Sequence, residues 1–123
     1  MARRILVAED DADNRSIVVK VLTLEGYETL EAADGRAALA LARRERPDLI
    51  VMDLGMPGVD GWEASRRLKA DPQTADIPII ALTAFALRGD EERAREAGCD
   101  DYLPKPCRPK TLREAVARVL AGR

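Results

Sequence analysis

Leu49-Ile50-Val51-Met52-Asp53 decides the fold: four apolar residues in a row, closed by a carboxylate and followed by the turn-forming Leu54-Gly55-Met56-Pro57-Gly58. A strand with one face in water alternates in polarity. This one does not, so it is read as covered on both faces, as in a parallel sheet between layers of helices. Outward from it, Ile5-Leu6-Val7-Ala8 and Ile77 to Leu82 repeat the pattern, while Glu28 to Ala32 and Asp101-Tyr102-Leu103 are weaker versions of it. Between these runs lie five stretches with helical spacing. Ile17, Val18, Val21 and Leu22 share a face, with Gly26 where a C-terminal cap belongs. Asp34 caps a second helix with Ala38, Leu41 and Ala42 on one side, which Pro47 follows. A third begins after Gly61, with Ala64 and Leu68 in register and Pro72 beyond it. A fourth carries Asp90, Glu91 and Glu92 in its first turn, favourable at the positive end of a helix dipole, and Gly98 at its end. The fifth starts at Pro109 and aligns Leu112, Val116, Val119 and Leu120. Strand and helix alternating five times predict a single α/β domain over residues 1–123, a doubly wound (βα)5 three-layer sandwich with a parallel five-stranded sheet. Right-handed crossovers bring every strand's carboxyl end to one edge, where ligands of such folds bind.

Composition removes several classes of function. The chain has 123 residues, 46% hydrophobic and 34% charged, with a net charge of −2. Neither a basic excess for nucleic acid nor a basic amphipathic stretch for a membrane surface is present. Histidine is absent, which excludes Ser-His-Asp and Cys-His catalysis, histidine-ligated metals and a phosphohistidine of the chain's own. Cys99 and Cys107 lack a metal-ligand spacing and form no disulfide framework. Met1-Ala2-Arg3-Arg4 precedes only four apolar residues, too short for a signal-peptide core, and no run approaches a membrane span. A reduced, cytoplasmic protein is expected.

The strand ends carry the chemistry. Glu9, Asp10 and Asp11 follow the first strand, Asp53 ends the third, Thr83 the fourth, and Lys105 stands just past the fifth. In a parallel sheet all of them converge. Two like charges about 4 Å apart repel by about 4 kcal/mol at an effective dielectric near ~20, so this cluster calls for a cation. Its ligands would all be oxygens, which selects a hard ion: Mg²⁺ first, Mn²⁺ or Ca²⁺ after it. A lysine and a threonine hydroxyl facing the carboxylates suit a phosphoryl group, with one carboxylate as nucleophile.

Ile5-Leu-Val-Ala-Glu9-Asp10-Asp11, Leu49-Ile-Val-Met-Asp53-Leu-Gly-Met-Pro57-Gly-Val-Asp60-Gly61, Ile77-Pro-Ile-Ile-Ala-Leu-Thr83-Ala84 and Gly98-Cys-Asp-Asp-Tyr102-Leu-Pro-Lys105-Pro106 together resemble the receiver domain of two-component response regulators over nearly the whole chain. Thr83 through Arg93 looks most like single-domain regulators of the bacterial cell-division type and receivers appended to hybrid kinases. The resemblance implies a flavodoxin-like sheet of order 2-1-3-4-5. It implies Asp53 as phosphoacceptor, Lys105 on the phosphoryl oxygens, and Mg²⁺ held by Asp10 directly, by Glu9 through water, by Asp53 and by the Gly55 carbonyl. Thr83 and Tyr102 would form the switch pair, and the peptide before Pro106 would be of the kind that is often cis. Gly61 is expected to take a backbone angle that other residues resist. The donor would be a histidine kinase or histidine phosphotransfer protein, and the output a protein bound on the face of the fourth helix, fifth strand and fifth helix. Gly55 and Phe85 offer no amide or acid to orient water, so slow self-dephosphorylation is expected, while small Ala84 leaves the site open to a partner histidine. No output module follows the fifth helix in this sequence, so action by protein binding or phosphate relay is expected. Two rival readings are a phosphate-independent pseudo-receiver and an Asp-nucleophile phosphohydrolase. The second lacks its usual acid two residues after the nucleophile, where Gly55 stands.

Overall fold

The computed structural model describes residues 2–83, 90–105 and 107–122. Strands and helices alternate as β1 (Arg4–Ala8), α1 (Ala12–Leu24), β2 (Glu28–Ala32), α2 (Gly35–Glu45), β3 (Leu49–Asp53), α3 (Gly61–Ala70), β4 (Ile79–Thr83), α4 (Asp90–Glu96), β5 (Asp101–Pro104) and α5 (Pro109–Ala121). The sheet runs β2-β1-β3-β4-β5, and every pairing is parallel. The doubly wound flavodoxin-like order expected from the resemblance is the order found.

The continuous apolar runs have the predicted cause. Leu6 and Ala8 of β1, Ile50 and Met52 of β3, and Ile79 and Ala81 of β4 pack against buried residues of α2, α3 and α4. Their neighbours Ile5, Val7, Leu49, Val51, Ile80 and Leu82 face the other way, onto Leu22 of α1 and Leu112, Ala115, Val116 and Leu120 of α5. With side chains alternating across a strand, both faces must be apolar. The helix ends read from sequence also hold. Asp34 accepts from the Ala37 N–H at the start of α2 and Pro109 opens α5; Asp60, not identified as a cap from sequence, accepts from the Glu63 N–H at the start of α3.

Three expectations are corrected. Ile17 does not join the core; it is 59% exposed, and of its helix face only Leu22 is fully buried. Residues 17–24 carry Ile17, Val18, Val19, Val21, Leu22 and Leu24, a wider apolar arc than one packing face can cover. β4 begins at Ile79 rather than Ile77, because the Lys69 Nζ donates to the carbonyls of Ala75 and Ile77 at 3.2 and 2.8 Å and holds that segment as a turn. Gly61 does not have a positive φ; Gly58 does, at 72°. Gly61 is needed for close approach: a Cβ there would lie 2.2 Å from the Asp53 carbonyl oxygen and 2.6 Å from the Leu54 Cα.

Candidate functional site

β1 and β3 end side by side at the middle of the sheet, and this places Glu9 next to Asp53. The Glu9 N–H donates to the Ala32 carbonyl at 3.0 Å, which fixes the backbone as it leaves β1. Lys105 arrives from beyond β5, its own N–H bonded to the Thr83 carbonyl at 2.6 Å. Its Nζ stands between the two carboxylates, 2.8 Å from Glu9 Oε2 and 3.1 Å from Asp53 Oδ2. The Gly55 N–H donates to Asp53 Oδ1 at 3.0 Å, so both Asp53 oxygens are held. Asp10 is exposed, and one oxygen each from Glu9, Asp10 and Asp53 lies within 4.8 Å of the others. Three carboxylates at that separation form an all-oxygen set suited to a hard divalent cation.

Charges in this cleft disturb one another. Burial, together with the Asp53 carboxylate beside it, pushes Glu9 up from 4.5 to about 7, and Lys105 only partly offsets this. Burial would raise Asp53 too, but its contact with Glu9, the Gly55 N–H and the Lys105 charge hold its carboxyl below the ordinary Asp range. Burial acts to lower Lys105, yet the two carboxylates keep its ammonium above the usual lysine value. The outcome is an ionised, oriented carboxylate at Asp53, which is what a nucleophile requires.

The remaining candidates fall as follows. Thr83 is buried at the end of β4, and its register partner is Pro104, next to Lys105. Tyr102 is half-buried and packs against the core cluster that contains Met56 and Trp62. Asp11, the extra acid, accepts from the N–H groups of Asp13 and Asn14 and so caps α1. Cys99 and Cys107 are both free thiols, and burial pushes both up, away from the reactive thiolate range. Trp62 is core packing, 8% exposed. Ala84, Phe85 and Pro106 lie outside the described residues.

Sequence reasoning missed two supports and a cavity. The Asn14 amide reaches Glu9 Oε1 at 3.4 Å, and the Arg15 Nη1 donates to the Glu9 carbonyl at 2.8 Å while its Nε meets Glu31 at 3.1 Å. Beside Lys105 opens a pocket of about 420 Å³, lined mainly by apolar residues including Ile17, Val18, Val21, Leu82 and Leu112. The surplus of apolar residues on α1 was the available signal for it.

Comparison with known proteins follows the same lines. The family profile described as "Response regulator receiver domain" matches residues 5–117. The chain is 44% identical, over 86% of each sequence, to the polar-differentiation response regulator DivK of Brucella anthropi. A crystal structure of a response regulator from Chloroflexus aurantiacus superposes with a TM-score of 0.94 at 34% identity, covering 98% of this chain and 99% of that one. The receiver domain of a sensor histidine kinase from Pseudomonas aeruginosa, crystallised with magnesium coordinated in its active-site cleft, gives a TM-score of 0.91 at 38% identity over 98% and 99%.

Proposed function

Because the chain belongs to the receiver-domain family of two-component response regulators, we propose that it is a phosphorylation-driven switch, with Asp53 taking a phosphoryl group from a phosphohistidine on a histidine kinase or histidine phosphotransfer protein. One observation carries this reading. Asp53 is buried, held ionised, and gripped at both oxygens by Lys105 and Gly55, at the sheet edge where a phosphoryl group can be presented in line. The Asp53 carboxylate attacks phosphorus, the phosphorus–nitrogen bond breaks, and its electron pair returns to the donor imidazole. Lys105 offsets charge on the transferring oxygens. Glu9, Asp10 and Asp53 fit a bound Mg²⁺, or Mn²⁺ in its place, which would supply further charge neutralisation, with the Gly55 carbonyl as the further ligand that the family resemblance implies. The apolar pocket beside Lys105 offers the donor domain a surface on which to seat.

The product adds about −1.5 to −2 of charge and three acceptor oxygens at Asp53. Thr83 is the hydroxyl positioned to turn toward one of them, and Tyr102 the aromatic that follows into the vacated space. The population shift is read on the α4-β5-α5 face by a downstream protein in the cytoplasm. Turnover of a separate substrate is disfavoured, since position 55, whose Cβ would lie 3.7 Å from Asp53 Oδ1, carries no acid.

Intact mass after incubation with Mg²⁺ and a small-molecule phosphodonor tests the proposal, beside Asp53→Asn and a chelated sample. One added phosphoryl group that requires both metal and Asp53 is expected. A folded protein that never gains mass and never binds beryllofluoride would instead be a phosphate-independent partner-binding domain.

A further inference from the structure

We infer that Arg93, through a cation–π contact with Trp62, holds α4 in its resting position and so biases the switch toward the unphosphorylated state; this rests on the phosphoacceptor reading of Asp53. The guanidinium carbon of Arg93 lies 4.3 Å from the centroid of the Trp62 ring. Glu96 stands one helical turn further along α4, in reach of an ordinary surface ion pair, yet among the described residues Arg93 pairs with no carboxylate. Its charge is spent on the ring.

The two partners differ in how firmly they are held. Trp62 follows Gly61, whose Cα sits directly against the Asp53 backbone, and its ring belongs to the core cluster with Met56 and Leu68. α4 is a helix of seven residues whose buried described side chain is Ala94, with Ala97 buried just past its end. Methyl groups bury little area, so a cation–π contact adds appreciably to what fixes the helix. The chain enters α4 from Thr83 through residues 84–89, so a displacement of Thr83 toward a phosphoryl group acts on α4 while Trp62 stays with the acceptor loop. A contact made only in the resting arrangement shifts the equilibrium by its own free energy.

The test uses Arg93→Gln and Arg93→Lys. Trp62 is the chain's one tryptophan, so indole emission comes from the ring that Arg93 covers. Beryllofluoride titrations with Mg²⁺ should show binding to Arg93→Gln about 2- to 5-fold tighter than to the unaltered protein, the equivalent of ~0.5–1 kcal/mol for an exposed cation–π pair. Arg93→Lys should fall between the two. Phosphorylation by a small-molecule donor, followed by intact mass, should accelerate in the same order, and ligand-free emission of Arg93→Gln should move toward that of the ligand-saturated unaltered protein. Equal affinities and equal rates across the three proteins would overturn the inference. Loss of beryllofluoride binding in all three, including the unaltered protein, would mark failure of the phosphoacceptor reading itself.

Discussion

Replacing Glu9 by Gln should stabilise the metal-free protein and abolish its pH dependence near neutrality. Glu9 is 2% exposed, with Asp53 beside it, and its carboxyl is raised from 4.5 to about 7. A carboxyl whose folded pKa lies above its unfolded value binds more protons when folded, so stability falls as pH rises between the two values. A rise of that size is worth about 3 kcal/mol in full, of which about 2 kcal/mol is lost between pH ~5.5 and ~7.5. Among the described residues, Glu9 is the carboxyl shifted upward into that interval. The chain has no histidine, and Asp53, Glu45, Glu63 and Asp71 are all shifted downward, so their contributions are complete before the interval begins. Urea unfolding in chelator across this range should therefore show the unaltered protein weakening and Glu9→Gln remaining flat. Saturating Mg²⁺ should remove the slope from the unaltered protein, because a bound cation holds Glu9 ionised. A metal-free protein whose stability is level or rises over the interval, or a variant that keeps the slope, would refute the reasoning.

Three more outcomes follow from the same geometry. Lys105→Met removes the cation 2.8 Å from Glu9 and 3.1 Å from Asp53; phosphorylation by a small-molecule donor should slow by about 10²-fold, while Mg²⁺ measured by calorimetry should bind no more weakly. Gly61→Ala drives a Cβ to within 2.2 Å of the Asp53 carbonyl; chemical unfolding should report a loss of about 1–3 kcal/mol, and a variant as stable as the parent would show that the acceptor loop can open freely. The phosphoryl group should persist for minutes or longer once the donor is removed, and Gly55→Asn, which sets an amide near Asp53 Oδ1, should shorten its lifetime; a half-life of seconds in the unaltered protein would contradict the first statement.

What could be read from the sequence was what depends on neighbours along the chain. Leu49 to Asp53 announces a strand covered on both faces because alternate residues must each meet a helix; Asp34 marks a helix start through a bond spanning a single turn, and Pro109 marks another because its fixed φ suits the first helical position. The run Arg43-Arg44-Glu45-Arg46 reads as a solvated helix end, but nothing in it signals that Arg46 closes α2 in the left-handed region at φ 47°, where a glycine would have been the sign. Gly61 was singled out for the wrong reason, since a close approach to the strand it follows looks, in sequence, like any other turn glycine. Ile17 was misplaced because an apolar pattern records which residues avoid water, not which of them find a partner in this chain. The Lys105–Glu9 pair joins residues 96 positions apart, and only the parallel topology brings them together.

That pair also explains why the site is arranged as it is. Among the described residues Lys105 is the cation set between Glu9 and Asp53, and it does not offset the burial and the Asp53 carboxylate that raise the Glu9 carboxyl. Had the cleft carried a second lysine or arginine against these oxygens, Glu9 would ionise more readily, and a divalent cation would gain less by entering. Arg15, the nearest candidate, spends its guanidinium on the Glu9 carbonyl and on Glu31 instead. The under-neutralised cluster thus costs stability in the empty protein and returns it as affinity for a cation. On the proposed phosphoacceptor role of Asp53, the same shortage of positive charge would make an arriving phosphoryl group depend on both Lys105 and that cation.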